Sequence, residues 1–350
     1  MVKKSIPLSP PSTADQDNFR SGGLVTTGEV VDFRDSWRIF RIITEFVEGY
    51  QFLSELKREV TIFGSARLQP NNKYYKIAEE LGRLLGNAKF TVITGGGPGI
   101  MEAANKGAYE AGAESVGLNI QLPFEQRINQ YVKKSTAFYY FFTRKVMMTS
   151  PANAFVFFPG GFGTLDEFFE VVDAMELGHM ERSPIVMVGK EFWEPVVNFL
   201  KNKSIKDAHS LSESEIKDWH VVDSAQEAME WLKDAQDRPD VCATGDISCA
   251  GGPNWRIFRI MAELVDGFEF LSGLKNDVTV LGTKSSLPGS SYYQAAYEVG
   301  KILAQNKITI ITGGGPGTME AANKGAFDVG GVSVGMNMVM ERGAERRNNY

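Results

Sequence analysis

At 350 residues, 43% of them hydrophobic and 23% charged, the chain has an ordinary globular composition and can form one large domain or two smaller ones. Its formal net charge of −6 argues against adhesion to nucleic acid polymers or acidic membranes, though not against a small anion held in a local positive pocket. No apolar run reaches the ~18 residues of a membrane span, and "MVKKSIPLSPPSTADQD" lacks the apolar core of a secretory signal. Cys242 and Cys249 are the only cysteines, so a reducing, cytoplasmic setting is expected, with no disulfide or metal centre.

Residues 1–32 are rich in Ser, Pro, Thr, Asp and Gly without apolar periodicity and are read as a flexible tail. Trp37, Phe40, Ile43, Phe46 and Val47 then recur three and four apart, which predicts a helix capped by Asp35 or Ser36. A strand over 59–66 and a helix over 74–88 follow. The strand 90–94 runs into "GGGPG" and a helix over 100–112, and 114–120 is a third strand. The aromatic run "FYYFF" reads as core, and "TRKVMM" opens a helix with Arg144 and Lys145. "AFVFF" leads through "PGGFGT" into a helix over 165–177, with Asp166 and Glu167 in its first turn. A strand over 184–189 and helices over 192–202 and 224–235 complete the series. Short apolar strands alternating with amphipathic helices specify an α/β fold, a doubly wound parallel sheet covered on both faces. Such sheets bind ligands at the carboxyl ends of their strands, where both glycine clusters lie.

The chain also repeats itself. The segment from Trp37 returns at Trp255, and "ITGGGPGIMEAANKGA" returns as "ITGGGPGTMEAANKGA", with Gly95 matching Gly313. This divides the chain into a complete domain over 33–235, a linker over 236–252 and a truncated duplicate of the same fold over 253–350. The duplicate has no counterpart of "TRKVMM" or "PGGFGT". Half a domain exposes one side of its sheet, so it packs on the first copy, pairs with another chain, or is a truncation.

Gly95, Gly96, Gly97 and Gly99 open a helix whose unpaired N–H groups suit an anion, but a tight strand-to-helix turn explains them equally. Glu102 faces a ligand or simply complements the helix dipole. Gly160, Gly161 and Gly163 with Thr164 have the form of a phosphate cradle, with Glu167 about a turn away; the alternative is a tight turn whose acids, Asp166 and Glu167, merely suit the helix dipole. Cations are unfavourable at a helix start, so Arg144 and Lys145 point to an anionic ligand or carboxylate partners, with a solvated basic pair as the alternative. His179, His209 and His220 show no metal spacing.

These segments resemble the LOG family, proteins long mislabelled lysine decarboxylases, over roughly residues 35–235. The likeness rests on Pro159–Glu167 as PGGxGTxxE, on Arg144, Lys145 and Met148 as RKxxM, and on the order of "FGSAR" and "TGGGPGIMEAANKGA". It implies a Rossmann-like fold, commonly dimeric or of higher homo-oligomeric order. It also implies hydrolysis of the N-glycosidic bond of a nucleoside 5′-monophosphate, AMP or a cytokinin ribotide, without metal or cofactor. Arg144 and Glu167 match the residues regarded as catalytic. The glycine turns and Thr164 would hold the 5′-phosphate, and Gly64, Ser65 and Arg67 would complete the nucleotide pocket. Met148 is a base contact or a core residue. The alternative is a nucleotide-binding regulatory module using the same pocket without hydrolysis. Because the second copy lacks both motifs, Glu320→Gln is expected to leave base release unchanged; loss of turnover in a folded variant would contradict this.

Overall fold

The computed structural model describes residues 33–121, 128–216, 218–235, 253–337 and 348–350. The expected tail at 1–32 and linker at 236–252, with Cys242 and Cys249, lie outside the described residues. The chain falls into two units, Met1–Arg41 and Ile42–Tyr350. In the first unit the described residues begin the helix α1 (Phe33–Leu53), where the rings of Trp37 and Phe40 lie 6.4 Å apart.

The second unit contains a seven-stranded sheet built from β1 (Glu59–Phe63), β2 (Thr91–Thr94), β3 (Ser115–Ile120), β4 (Lys134–Phe138), β5 (Ala154–Phe157), β6 (Ile185–Val188) and β7 (Trp219–Val222). Every pairing is parallel and the order is β4-β3-β2-β1-β5-β6-β7. The connecting helices are α2 (Lys73–Asn87), α3 (Ile100–Glu110), α4 (Phe141–Thr149), α5 (Phe162–Glu176), α6 (Lys190–Phe199) and α7 (Ala225–Leu232).

Alternation along each strand separates two cores. Val60 and Ile62 of β1 and Ala154 and Val156 of β5 face α2, α3 and α7. Phe63, Phe155 and Phe157 face the other layer, with Ile42, Phe46, Met147, Phe168 and Trp193 from the helices there. Strands buried on both faces read as continuous apolar runs, which is why the central ones were legible as sequence. The edge strands were not. In β4 four of five residues stay at least partly exposed, and β7 was absent from the expected series. The "FYYFF" run is core only at Phe138; Tyr139, Phe141 and Phe142 are exposed. Within α1, Ile42 and Phe46 are buried whereas Val47 is exposed, because the packed face runs slightly differently from the apolar periodicity.

A three-stranded parallel sheet, β8 (Asp277–Thr279), β9 (Thr309–Thr312) and β10 (Ser333–Gly335), repeats β1–β3 in the order β10-β9-β8. It carries α8 (Pro253–Leu271), α9 (Ser291–Gln305) and α10 (Thr318–Asp328) as the counterparts of α1–α3. Met261 and Leu264 of α8 pack against the Phe46–Trp193 core.

Both copies share one packing device. A Cβ at Gly82 of α2 would run into the carbonyl of Ala104, and one at Gly107 of α3 into that of Glu79. Gly300 and Gly325 stand in the same relation to Ala322 and Tyr297. The missing side chains let the paired helices approach to backbone contact. Gly82→Ala and Gly107→Ala are therefore expected to destabilise the fold by about 1–3 kcal/mol each, read as a lower urea midpoint, despite the helix-propensity gain of ~1 kcal/mol.

Candidate functional site

The sheet order reverses between β1 and β5, so a crevice opens at their carboxyl ends. Both glycine turns flank it. Ser65 joins them: its N–H donates to the Pro159 carbonyl at 3.1 Å, and its own carbonyl accepts the Ile100 N–H at 3.0 Å. Its hydroxyl accepts the Arg67 N–H at 3.1 Å, while the Arg67 residue itself is exposed. A Cβ on Gly64 would fall 2.7 Å from Ile100, so the missing side chain lets α3 seat closely against the end of β1.

The first turn is held from beneath. Gly96 and Gly99 both have φ of +71°, a region that side chains other than glycine's rarely occupy. The Thr94 hydroxyl accepts the Gly96 N–H at 2.9 Å and donates to Asn105 at 2.6 Å. Asn129 donates its amide across the turn to the carbonyls of Gly96 and Gly97, each at 3.1 Å. Glu102, in the first turn of α3, accepts from the Tyr75 hydroxyl at 3.5 Å. Burial, then the Glu102 charge, pushes that hydroxyl up to about 12.

The second turn runs into α5, which begins at Phe162. Gly163 and Thr164 are thus helical, and Asp166 and Glu167 lie in the second turn; the first carries no acid. This corrects the expected helix start. It also removes the dipole explanation for the two acids, because that effect fades beyond the first turn. A Cβ at Gly160 would strike Thr164, whereas one at Gly161 or Gly163 would meet only open space.

Arg144 and Glu167 meet beside this crevice. The Arg144 Nε donates to the Leu118 carbonyl at 2.8 Å, and Nη1 lies 3.9 Å from Glu167 Oε1. Their side chains are only 12% and 15% exposed. A Cβ on Gly95 would come within 2.5 Å of Nη2, so this glycine makes room for the guanidinium. Burial pulls Arg144 below its usual value, with Glu167 acting the other way. Burial likewise pushes Glu167 up to about 7; Arg144 and Lys145 pull it down, and Asp166 and Glu170 push it further up. At 3.9 Å the pair does not compensate the loss of water, so both partners shift towards neutrality. The result is a carboxyl able to exchange a proton near neutral pH beside a fixed cation.

The structure separates the remaining expected residues. Lys145 binds Asp166 at 2.7 Å and Glu170 at 2.6 Å. Burial lowers its pKa, but these two bonds outweigh it and the net shift is upward. These carboxylate partners account for a cation at a helix start. Met148 is 1% exposed within the core, in keeping with its packing reading.

Glu45 was missed by sequence reasoning. Its carboxylate accepts the N–H groups of Tyr139 and Tyr140 and the Thr143 hydroxyl, at 2.8, 3.3 and 2.6 Å, and so ties the segment entering α4 to α1. The available signal was an acid on the same helical face as Ile42 and Phe46. A separate cavity of about 690 Å³ lies against α5, with Phe169, Leu200 and Trp219 among its walls; neither Arg144 nor Glu167 lines it. Among the described residues no group of His, Cys, Asp and Glu is arranged to hold a metal, and no helix is long and apolar enough to cross a membrane.

Residues 101–232 match the family profile described as "Possible lysine decarboxylase", and residues 275–349 match the SLOG cluster4 family. A cytokinin riboside 5′-monophosphate phosphoribohydrolase of Rhodococcoides fascians is 25% identical over 152 residues, covering 43% of this chain and 77% of that protein. One of the same description from Arabidopsis thaliana is 26% identical over 189 residues, covering 53% and 84%. The molybdenum cofactor binding protein of Rippkaea orientalis aligns with a TM-score of 0.40 and 17% identity, over 51% of this chain and 97% of that one. The resemblance to the LOG family is borne out, with a second, SLOG-type segment behind it.

The Glu167 shift has a thermodynamic consequence. A folded-state pKa raised to about 7 from an ordinary 4.5 means that the folded protein holds this proton more tightly than the unfolded chain. Its stabilising contribution is complete below about 4.5 and is lost as pH rises through 7. Between pH 5 and 8 the wild type should therefore lose stability relative to Glu167→Gln, by on the order of 3 kcal/mol, in urea titrations at each pH.

Proposed function

We propose that this chain, as a LOG-family protein, hydrolyses the N-glycosidic bond of a nucleoside 5′-monophosphate, giving free base and ribose 5-phosphate. The observation that carries this reading is the buried Arg144–Glu167 pair, held between two glycine turns at the β1/β5 crevice. The names of the relatives point to the same bond, and an AMP-like or cytokinin-type nucleotide is the substrate class.

Breaking the bond from C1′ to the base nitrogen sends the electron pair to the base and leaves positive charge on the ribose. Ionised Glu167 stabilises that charge and takes a proton from the water whose oxygen bonds to C1′. The departing base gains a proton in turn, so the products balance as ribose 5-phosphate and neutral base. A carboxyl titrating near 7 is well matched to this exchange at neutral pH. Arg144, fixed by the Leu118 carbonyl and given room by Gly95, directs its remaining guanidinium donors at the leaving base. The free first-turn N–H groups of α5, with open space over Gly161 and Gly163, receive the 5′-phosphate. Binding energy from the remote phosphate thereby positions the sugar against the carboxylate.

A panel containing AMP, other nucleoside monophosphates and a cytokinin riboside 5′-monophosphate tests this by release of base and ribose 5-phosphate. Glu167→Gln is expected to reduce kcat by roughly 10²–10⁴-fold while retaining nucleotide binding. Binding by the wild type without base release from any member would leave only the nucleotide-binding module.

A further inference from the structure

Lys145 follows Arg144 in sequence but does a different job in space. Its ammonium reaches Asp166 Oδ2 at 2.7 Å and Glu170 Oε2 at 2.6 Å, and its side chain is 19% exposed. The two carboxylates are four residues apart on one face of α5 and bracket Glu167 in sequence. Among the described residues, the ion pairs joining α4 to α5 are these two short bonds and the 3.9 Å contact of Arg144 itself. The rest of α4 is anchored elsewhere, by Glu45 at its start and by Met147 and Met148 in the core.

We infer that Lys145 is a positioning residue: by pinning α4 to α5 through Asp166 and Glu170 it sets Arg144 against Glu167, and it does not bind the substrate phosphate. This assignment rests on the hydrolase reading above and deepens it. Two of the three ammonium donors already serve carboxylates, so a phosphate would have to compete with two negative charges at 2.6–2.7 Å. The charge arrangement supports the same role. The groups acting on Glu167 are Arg144 and Lys145 from α4 and Asp166 and Glu170 from α5. Removing the ammonium withdraws one cation and unmasks two anions beside Glu167, and both changes favour its protonated form. Glu167 should then titrate at higher pH, and any activity that needs its carboxylate should lose its acidic limb in the same direction.

The test compares full-length wild type, Lys145→Gln and Lys145→Arg by ¹³C NMR titration of the glutamate carboxyls, with the Glu167 signal assigned from Glu167→Gln. Steady-state hydrolysis of AMP is followed alongside. Lys145→Gln is expected to raise the Glu167 midpoint and lower kcat by roughly 10–100-fold, with KM for AMP changed by no more than about twofold. Lys145→Arg should restore most of both. An unchanged midpoint in folded Lys145→Gln overturns the assignment. So does a large rise in KM for AMP at unchanged kcat, which would make Lys145 a phosphate ligand. Should Lys145→Gln fail to fold, Asp166→Asn combined with Glu170→Gln removes the pin from the other helix: reduced kcat supports the assignment and unchanged kcat overturns it. A wild type that releases no base sinks the hydrolase reading alone, because the NMR titration still decides whether Lys145 governs Glu167.

Discussion

The site depends on one stretch of main chain at the end of β1. Ser65 donates to the turn that follows β5 and accepts from the helix that follows β2, so a single residue fixes the spacing of both glycine turns. Neither turn supplies that spacing alone, since each is tethered to its own strand. The parallel order, reversing between β1 and β5, creates the gap that Ser65 spans. The Gly64 and Gly99 positions tolerate no side chain, because Ile100 and the Ser65 carbonyl occupy the space where a Cβ would be.

Onto this frame the fold brings two opposite charges that water no longer screens. Placed 3.9 Å apart and mostly buried, Arg144 and Glu167 lie too far from each other for their attraction to offset desolvation. Two tighter ion pairs stand one residue away, where Lys145 meets Asp166 and Glu170. The contrast is informative. The Lys145 pairs that join the two helices are short, whereas the Arg144–Glu167 pair beside the crevice is left incompletely compensated. Such residual electrostatic demand is what a polar substrate can satisfy.

The second copy shows which parts of the arrangement are separable. Gly314 and Gly317 keep positive φ at +71° and +74°, and Thr312 accepts the Gly314 N–H at 2.9 Å as Thr94 does for Gly96. Asn348 spans the turn to the Gly315 carbonyl at 3.0 Å, in the manner of Asn129. The glycine turn and its clamp thus recur around β9 as a self-contained unit. The arginine, the lysine and the second glycine turn do not recur among the described residues, so the first turn is repeated without the groups that stand across the crevice from it.

By itself the sequence determined the α/β class, the duplication, the central strands and the two glycine turns. Those features are local: apolar runs, helical spacing and glycine clusters each act over a few neighbouring residues. Arg144 and Glu167 were also legible, through motifs that matched a family. Only the tertiary structure decided that Met148 is core, that Glu45 binds Thr143 across 98 residues, and that Lys145 pairs with Asp166 and Glu170. It decided too that Asp166 and Glu167 lie beyond the first helical turn, which takes the dipole away as their explanation. Each of these depends on which groups lose water and which charges become neighbours when distant segments pack, and no local pattern of residues encodes that.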